Sequence, residues 1–300
     1  MEVALPGKLD RLNMYYLIDQ VIGYDLQPKS KNVSLNFHPL EFVEPDGVTV
    51  LSNLIEWLQK REVKVDFITP SRNNFKKHCP IAFLDDSLFF ERYLEESQDP
   101  FASPRQTTIP LEIVAYKDSY QWLSKTIQWL SSVLNLSTES LVNIKVCLEE
   151  IFNNINDHSK EKIGCVFAQH YPNKQIVKVA ISDFGVGIPH NVRTIRPSLS
   201  DAEAIEIATK QGFTTKSTPK NRGAGLDTLI YNVVNNNHGN VYIHSNYGIL
   251  NCTYDGFSGP CIIPEDQSGF YPGTLIDLEF RTDTIEDIQD GEEEFDWYGN

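Results

Sequence analysis

Three stretches in the second half of the chain carry residues able to hold and act on a charged ligand. They are Glu150-Ile-Phe-Asn153-Asn154-Ile-Asn-Asp157-His158, then Asp183-Phe-Gly185-Val-Gly187-Ile188, then Asn221-Arg222-Gly223-Ala224-Gly225-Leu226. In the first, Glu150, Asn154 and His158 recur at every fourth residue and so fall on one line of a helix. A carboxylate there suits a general base that deprotonates a water or hydroxyl. An amide oxygen such as that of Asn154 suits octahedral Mg2+, which takes one or two protein ligands and fills its shell with phosphates and waters. His158 would reach a phosphate or its water shell. In the second stretch, Asp183 ends the strand-like run Val177-Lys-Val-Ala-Ile-Ser182. A carboxylate in that place can accept a hydrogen bond from an exocyclic amine, while Gly185 and Gly187 leave room for a flat ring and permit positive φ. In the third, Gly223, Ala224 and Gly225 precede a helix whose first amides and positive dipole end favour phosphate. Lys216 and Arg222 belong to a basic stretch, Phe213 to Arg222, that suits a lid over phosphate groups.

The elements that must position these residues can be read from spacing. Leu141, Ile144, Leu148, Ile151 and Ile155 recur at intervals of three and four, a core-facing helical stripe. Glu150, Asn154 and His158 flank that stripe, whereas Glu149, Asn153 and Asp157 point further toward water. The expected elements of this half are helices over Asp118–Leu134 and Ser137–His158, then strands over Ile163–His170 and Gln175–Ser182. A helix follows from Ser200, opened by the capping box Ser200-Asp-Ala-Glu203, and another runs from Gly225 through Asn235. Strands near Val241–Ser245, Leu250–Tyr254 and Thr274–Phe280 complete an antiparallel sheet with helices on one face, an α+β sandwich.

These motifs, in this order, resemble the nucleotide site of the gyrase, histidine-kinase and MutL superfamily, the Bergerat-fold ATPases. The resemblance covers roughly residues 115–281, within an ATP-binding domain expected over 110–281. It implies ATP with Mg2+ as cofactors, Glu150 as catalytic base, Asn154 as metal ligand and Asp183 as the reader of adenine. It also implies nucleotide contacts from Gly185, Gly187, Ile188, His158, Lys216, Arg222, Gly223, Ala224, Gly225 and Leu226. Thr274, after Gly273, would support the adenine-binding carboxylate through water.

The first half alternates in type. Asn32–Phe37 and Val63–Ile68 read as strands, Asp46–Lys60 as a helix, and Ser87–Leu94 as a second, short helix. Strand, helix, strand, helix with short connections implies parallel pairing and an α/β layer. The stretch Asp99–Thr108, with its prolines and serine, marks a boundary, giving an N-terminal unit over 1–105. That unit looks like a STAS domain, the module of anti-sigma-factor antagonists, through Val33–Phe37, Phe42–Val48 and the helix and strand that follow. Where the family carries a phosphorylatable hydroxyl before the helix, this chain has Glu44, Pro45 and Asp46. Pro45 takes no phosphate and Asp46 supplies a fixed charge, so the unit is expected to be locked against phospho-switching and used for docking.

Composition narrows the classes further. Net charge is −15, and eight acids with no lysine or arginine lie between Thr282 and Asn300, so about half of the imbalance sits in that tail. An acidic surface repels polyphosphate, which argues against nucleic acid as the main ligand. The tail, 282–300, is expected to be a disordered solubilising end; a docking peptide anchored by Phe295, Trp297 and Tyr298 is the other reading. The five cysteines are scattered, without a Cys-x-x-Cys pair, which favours buried thiols in a reducing compartment over metal ligands. No long apolar run and no signal-like start are present, so the chain is expected to be cytoplasmic, with no membrane partner.

The expected function is therefore that of a regulatory ATP-binding protein that hydrolyses ATP or phosphorylates a protein partner, nearest the anti-sigma serine/threonine kinase branch. The other reading is a non-catalytic or slow ATP-dependent switch within a larger assembly. Protein partners are expected, and a homodimer is compatible with the sequence.

Overall fold

The computed structural model describes residues 1–70, 79–158, 163–213, 225–256 and 259–288. The chain begins with β1 (Glu2–Ala4), β2 (Lys8–Leu9), α1 (Met14–Val21), β3 (Asn32–Asn36), β4 (Phe42–Val43), α2 (Pro45–Gln59) and β5 (Lys64–Ile68). Strands β1, β3 and β5 form a parallel sheet in that order, with Leu35 opposite both Val3 and Phe67. The β3–α2–β5 order thus gives the parallel pairing that its short connections require. α2 starts at Pro45, whose missing N–H costs nothing in the first turn. Its apolar positions Val48, Leu51, Leu54, Ile55 and Leu58 are all buried. The helix expected over Ser87–Leu94 corresponds to α4 (Phe89–Leu94), and a further helix, α3 (Pro80–Asp86), precedes it. The two are separated at Leu88, whose φ of 61° lies in the left-handed region and cannot continue a helix.

The second half contains β6 (Thr108–Ala115), α5 (Ser119–Leu134), α6 (Val142–His158), β7 (Ile163–Tyr171), β8 (Ile176–Asp183), α7 (Ile188–Arg193), α8 (Asp201–Ala208), α9 (Gly225–Ile230), β9 (Asn240–Tyr254) and β10 (Pro260–Arg281). Its five strands form one antiparallel sheet in the order β6-β7-β8-β10-β9. The capping box at Ser200 is present: the Ser200 hydroxyl accepts from the Glu203 N–H, and the Glu203 carboxylate accepts from the Ser200 N–H. The helix expected from Gly225 to Asn235 changes to a π-helical turn over Tyr231–Asn236. β6 and α7 carry no strong local signal and are additions to the expected set. The two short strands expected over Val241–Tyr254 are one continuous strand, because β10 pairs with its whole length apart from a bulged region between Asp266 and Thr274.

The sheet is covered on both faces. On one, α5, α6, α8, α9 and the π-turn bury a core that includes Trp122, Leu130, Leu148, Ile151, Ile205, Leu229 and Val233 against Val166, Val179 and Ile243. On the other lies the N-terminal half. α2 sits between the parallel sheet and strands β7 and β8 and is buried from Pro45 to Leu58 apart from the half-buried Glu56. A single apolar cluster runs through Leu35, Leu54, Phe167, Phe184, Tyr271 and Leu275, so the two halves share a core. β8 is accordingly buried without interruption from Val179 to Asp183, as a strand covered on both faces must be.

The tail differs from the disordered end expected from Thr282. Its first residues are seated: Thr284 Oγ1 donates to the Asn237 carbonyl, Ile285 packs on the helical-side core, and Ile288 N–H donates to Ser140 Oγ at 2.8 Å. The Ser137 hydroxyl in turn donates to the Ile288 carbonyl. The apolar Ile285 and the paired backbone of Ile288 hold down a segment whose charge alone suggested solvation. Phe295, Trp297 and Tyr298 lie outside the described residues.

Candidate functional site

Two groups of side chains form at one end of the large sheet. The first lies where α6 meets α9. The helix phase read from spacing is the observed one: Leu141, Ile144, Leu148, Ile151 and Ile155 are buried, Asn153 is exposed, and Glu150 and Asn154 are half-buried on the flank. Asn153 accepts a hydrogen bond from the Tyr116 hydroxyl on the outer surface. Glu149 is 40% exposed and pairs with Lys145 at 3.7 Å, one turn back. The first residue of α9, Gly225, faces the flank. A Cβ there would lie 2.9 Å from Glu150 Oε2 and 3.4 Å from Asn154 Nδ2, so a side chain at this position would displace the carboxylate. Asn154 Nδ2 is buried without a hydrogen-bond partner among the described residues. An unpaired buried amide is costly, and a polar ligand reaching it would satisfy it. Burial, and then the neighbouring Glu149 charge, raise the Glu150 carboxyl above its ordinary value, which brings it nearer to the range of an effective base.

The second group is a turn held between strands. Asp183 ends β8, is 6% exposed, and stands opposite Thr274 of β10 in the pairing register. Its Oδ1 accepts the Gly185 N–H at 2.6 Å, closing an Asx turn. Gly187 uses the positive φ that a glycine permits, at 82°. A Cβ on Gly187 would meet Asn246 Oδ1 and Ser245 Oγ, each at 2.8 Å. Ser245 is the junction: its hydroxyl donates to the Gly273 carbonyl at 2.6 Å, accepts the Ile188 N–H at 2.9 Å and lies 3.1 Å from Thr274 Oγ1. Gly273, with φ of 96°, admits the close approach of the turn, since a Cβ there would lie 2.2 Å from the Asp183 carbonyl oxygen.

The two groups share one end of the fold. Ile155, next to Asn154, packs beside Gly164 of β7, where a Cβ would lie 3.1 Å from Ile155 Cδ1 and 3.9 Å from the Ser182 carbonyl oxygen. Ile188 and Leu226, both half-buried, pack against the core beneath α6. Of the expected site residues, Glu150, Asn154 and Gly225 are therefore brought together, as are Asp183, Gly185, Gly187, Ile188 and Thr274. Lys216, Arg222, Gly223 and Ala224 lie outside the described residues, as does the side chain of His158. Among the described residues no cluster of three or more His, Cys, Asp or Glu could hold a metal by itself.

Spacing alone misses Ser245 and Asn246. The signal was present as the polar break His244-Ser-Asn-Tyr-Gly248 within a long apolar strand, where Asn246 adopts φ of 56°.

The turn compared with the phosphorylation site of STAS domains is also placed. Asp46 is 5% exposed and accepts the Arg11 N–H at 2.8 Å, while the Arg11 guanidinium reaches Asp277 at 2.8 Å. Glu44 lies 3.7 Å from Lys178 of β8. The charge expected at Asp46 is not displayed to a partner, because the turn is packed against the chain's own sheet, and burial raises its carboxyl. No described helix is long and apolar enough to cross a membrane. The sequence matches no protein-family model and no curated protein.

Proposed function

We propose that this chain binds Mg2+-ATP between α6, α9 and the Asp183 turn, and that it is a regulatory ATPase or protein kinase resembling the anti-sigma-kinase branch of the Bergerat-fold proteins. The observation that carries the reading is the contact of Gly225 with Glu150 and Asn154. Residues far apart in the chain meet with a bare glycine, an unpaired amide and a carboxylate of raised pKa facing one another. Bound Mg2+ would neutralise phosphate charge and polarise the terminal phosphoryl group. Asn154 would offer the metal a neutral oxygen, and the α9 amides would face phosphate oxygens. Glu150 would take the proton of a water or of a partner's hydroxyl. A carboxylate retains acceptor capacity beyond one hydrogen bond, so Asp183 can hold Gly185 and also receive the adenine amine, which favours ATP over GTP.

The reading of a slow or non-catalytic switch draws on a different observation: Pro45 offers no phosphate acceptor, and α2 is embedded against the sheet rather than displayed. Titration calorimetry with ATP and GTP, with and without Mg2+, tests the binding site. Equal affinity for the two nucleotides removes the basis for Asp183 as adenine reader. Hydrolysis and phosphate transfer, assayed with a candidate protein partner present, then separate enzyme from switch.

A further inference from the structure

The face of α2 turned toward the large sheet is polar where an apolar contact would be simpler. Its Ser52 hydroxyl lies 2.5 Å from the Tyr93 hydroxyl and 3.6 Å from Cys165 Sγ. Asn53 Oδ1 accepts from the Cys165 thiol at 3.4 Å, and Asn53 Nδ2 donates to Ser182 Oγ at 3.1 Å. Ser182 Oγ in turn bonds the Tyr271 hydroxyl. This chain of partners runs from α4 through α2, β7 and β8 to β10, and Ser52, Asn53, Cys165, Ser182 and Tyr271 are all buried. Every member finds a partner, and a satisfied buried network specifies one arrangement where apolar packing would tolerate several.

The network ends one residue before Asp183. One turn further along α2, Trp57 meets the ring of Phe184 edge-on with centroids 6.5 Å apart, and Tyr271 also meets that ring edge-on at 5.3 Å. Phe184 is the residue between Asp183 and Gly185, so α2 contacts the chain at Ser182 and at Phe184, on either side of Asp183.

We propose that α2 is a positioning element of the base-side pocket: Asn53 and Trp57 fix the Asp183–Ile188 turn, so the docking of the N-terminal half sets the affinity of that turn for its ligand. The proposal rests on the ATP reading for the ligand's identity but not for the mechanical link. Because linkage is reciprocal, a ligand at Asp183 also tightens α2 on the sheet, and a protein that pulls on the N-terminal half loosens the ligand.

The test uses the full-length chain and two readouts, hydrogen exchange of the 182–188 segment without nucleotide and calorimetric ATP affinity. In Asn53→Ala, exchange of this segment rises at least tenfold and ATP affinity falls on the order of tenfold, as local opening of the turn competes with binding. Trp57→Leu, which keeps apolar volume but removes the ring contact, gives the same two changes and serves should Asn53→Ala fail to fold. Leu130→Val, a core change at the far end of the helical face, is the control for general loosening. Exchange of 182–188 unchanged in the α2 variants, or raised equally by Leu130→Val, overturns the proposal. If exchange rises as stated while the unmodified protein binds neither ATP nor GTP, the positioning role stands and the ATP reading falls.

Discussion

The two faces of the large sheet are built by different means. The helical face buries aliphatic and aromatic side chains of α5, α6 and α9 around a few polar groups such as Thr126, and Glu150 and Asn154 stand on its flank. The opposite face buries Asp46, Asp277, Asn53, Ser52 and Ser182 among its apolar residues. Apolar burial is non-directional and stabilises any register that covers area. Buried polar groups stabilise only where each partner meets its mate, and leaving one unpaired costs about 1–3 kcal/mol. The comparison teaches a division of labour: the helical face presents the groups proposed for chemistry, and the N-terminal face sets geometry.

The largest expected effect lies on the helical face. Glu150→Gln preserves shape but removes the basic carboxylate, and ATP turnover should fall about 10²–10⁴-fold, or roughly 3–5 kcal/mol, with affinity within a few-fold. Glu149→Gln, on the exposed side with Lys145, is the comparison variant. A steady-state assay showing equal turnover in both would remove Glu150 from the chemistry.

On the N-terminal face the expected effect is on stability and depends on pH. Burial, and then the Asp46 charge, push Asp277 up to about 7, against the pull of Arg11 and Lys178. The native state therefore keeps a proton that the unfolded chain releases near pH 4. This contribution is fully present at low pH and is lost as pH rises from about 4 to about 7. Urea unfolding at pH 5 and pH 8 should show the loss, and Asp277→Asn, which carries no titrating proton, should flatten it. A slope unchanged in Asp277→Asn would assign the pH dependence elsewhere.

Asp183→Ala, at the boundary of the two faces, should weaken ATP ten- to a hundredfold by leaving the adenine amine unpaired, about 1–3 kcal/mol. Binding of tripolyphosphate, which has no base, should stay unchanged in this variant; a parallel loss there would mean that the turn collapses rather than misreads. The smallest effect separates neighbours on α6. Asn154→Ala should abolish the Mg2+ dependence of ATP binding, whereas Asn153→Ala should change stability and affinity by no more than about 0.5 kcal/mol, as an exposed site does. The reverse order in calorimetry would put the wrong side of the helix against the ligand.

Much of the candidate site was legible because it depends on local rules. The phase of α6 follows from the spacing of five apolar residues, and it sends Asn154 inward and Asn153 outward without tertiary information. The capping box at Ser200 is likewise a local exchange of hydrogen bonds. Gly187 was legible as a position needing freedom, but its neighbours Ser245 and Gly273 arrive from strands that are distant in sequence.

α2 marks the limit. Its sequence carries an apolar stripe at Val48, Leu51, Leu54, Ile55 and Leu58 with Thr49, Ser52, Asn53, Glu56 and Gln59 around it, and this determines an amphipathic helix beside a parallel sheet. Periodicity reports one buried face and assigns polar positions to water. Thr49, Ser52 and Asn53 are nonetheless buried, because a second sheet built from residues more than a hundred positions later supplies Ala180, Cys165 and Ser182 as partners. A hydroxyl or amide can be satisfied by water or by such a partner at similar free energy, so its type does not say which. Local spacing by itself determined α2, α5 and α6, the parallel pairing and the candidate chemical groups; only the tertiary structure decided that the N-terminal half closes the far side of the sheet and reaches the turn at Asp183.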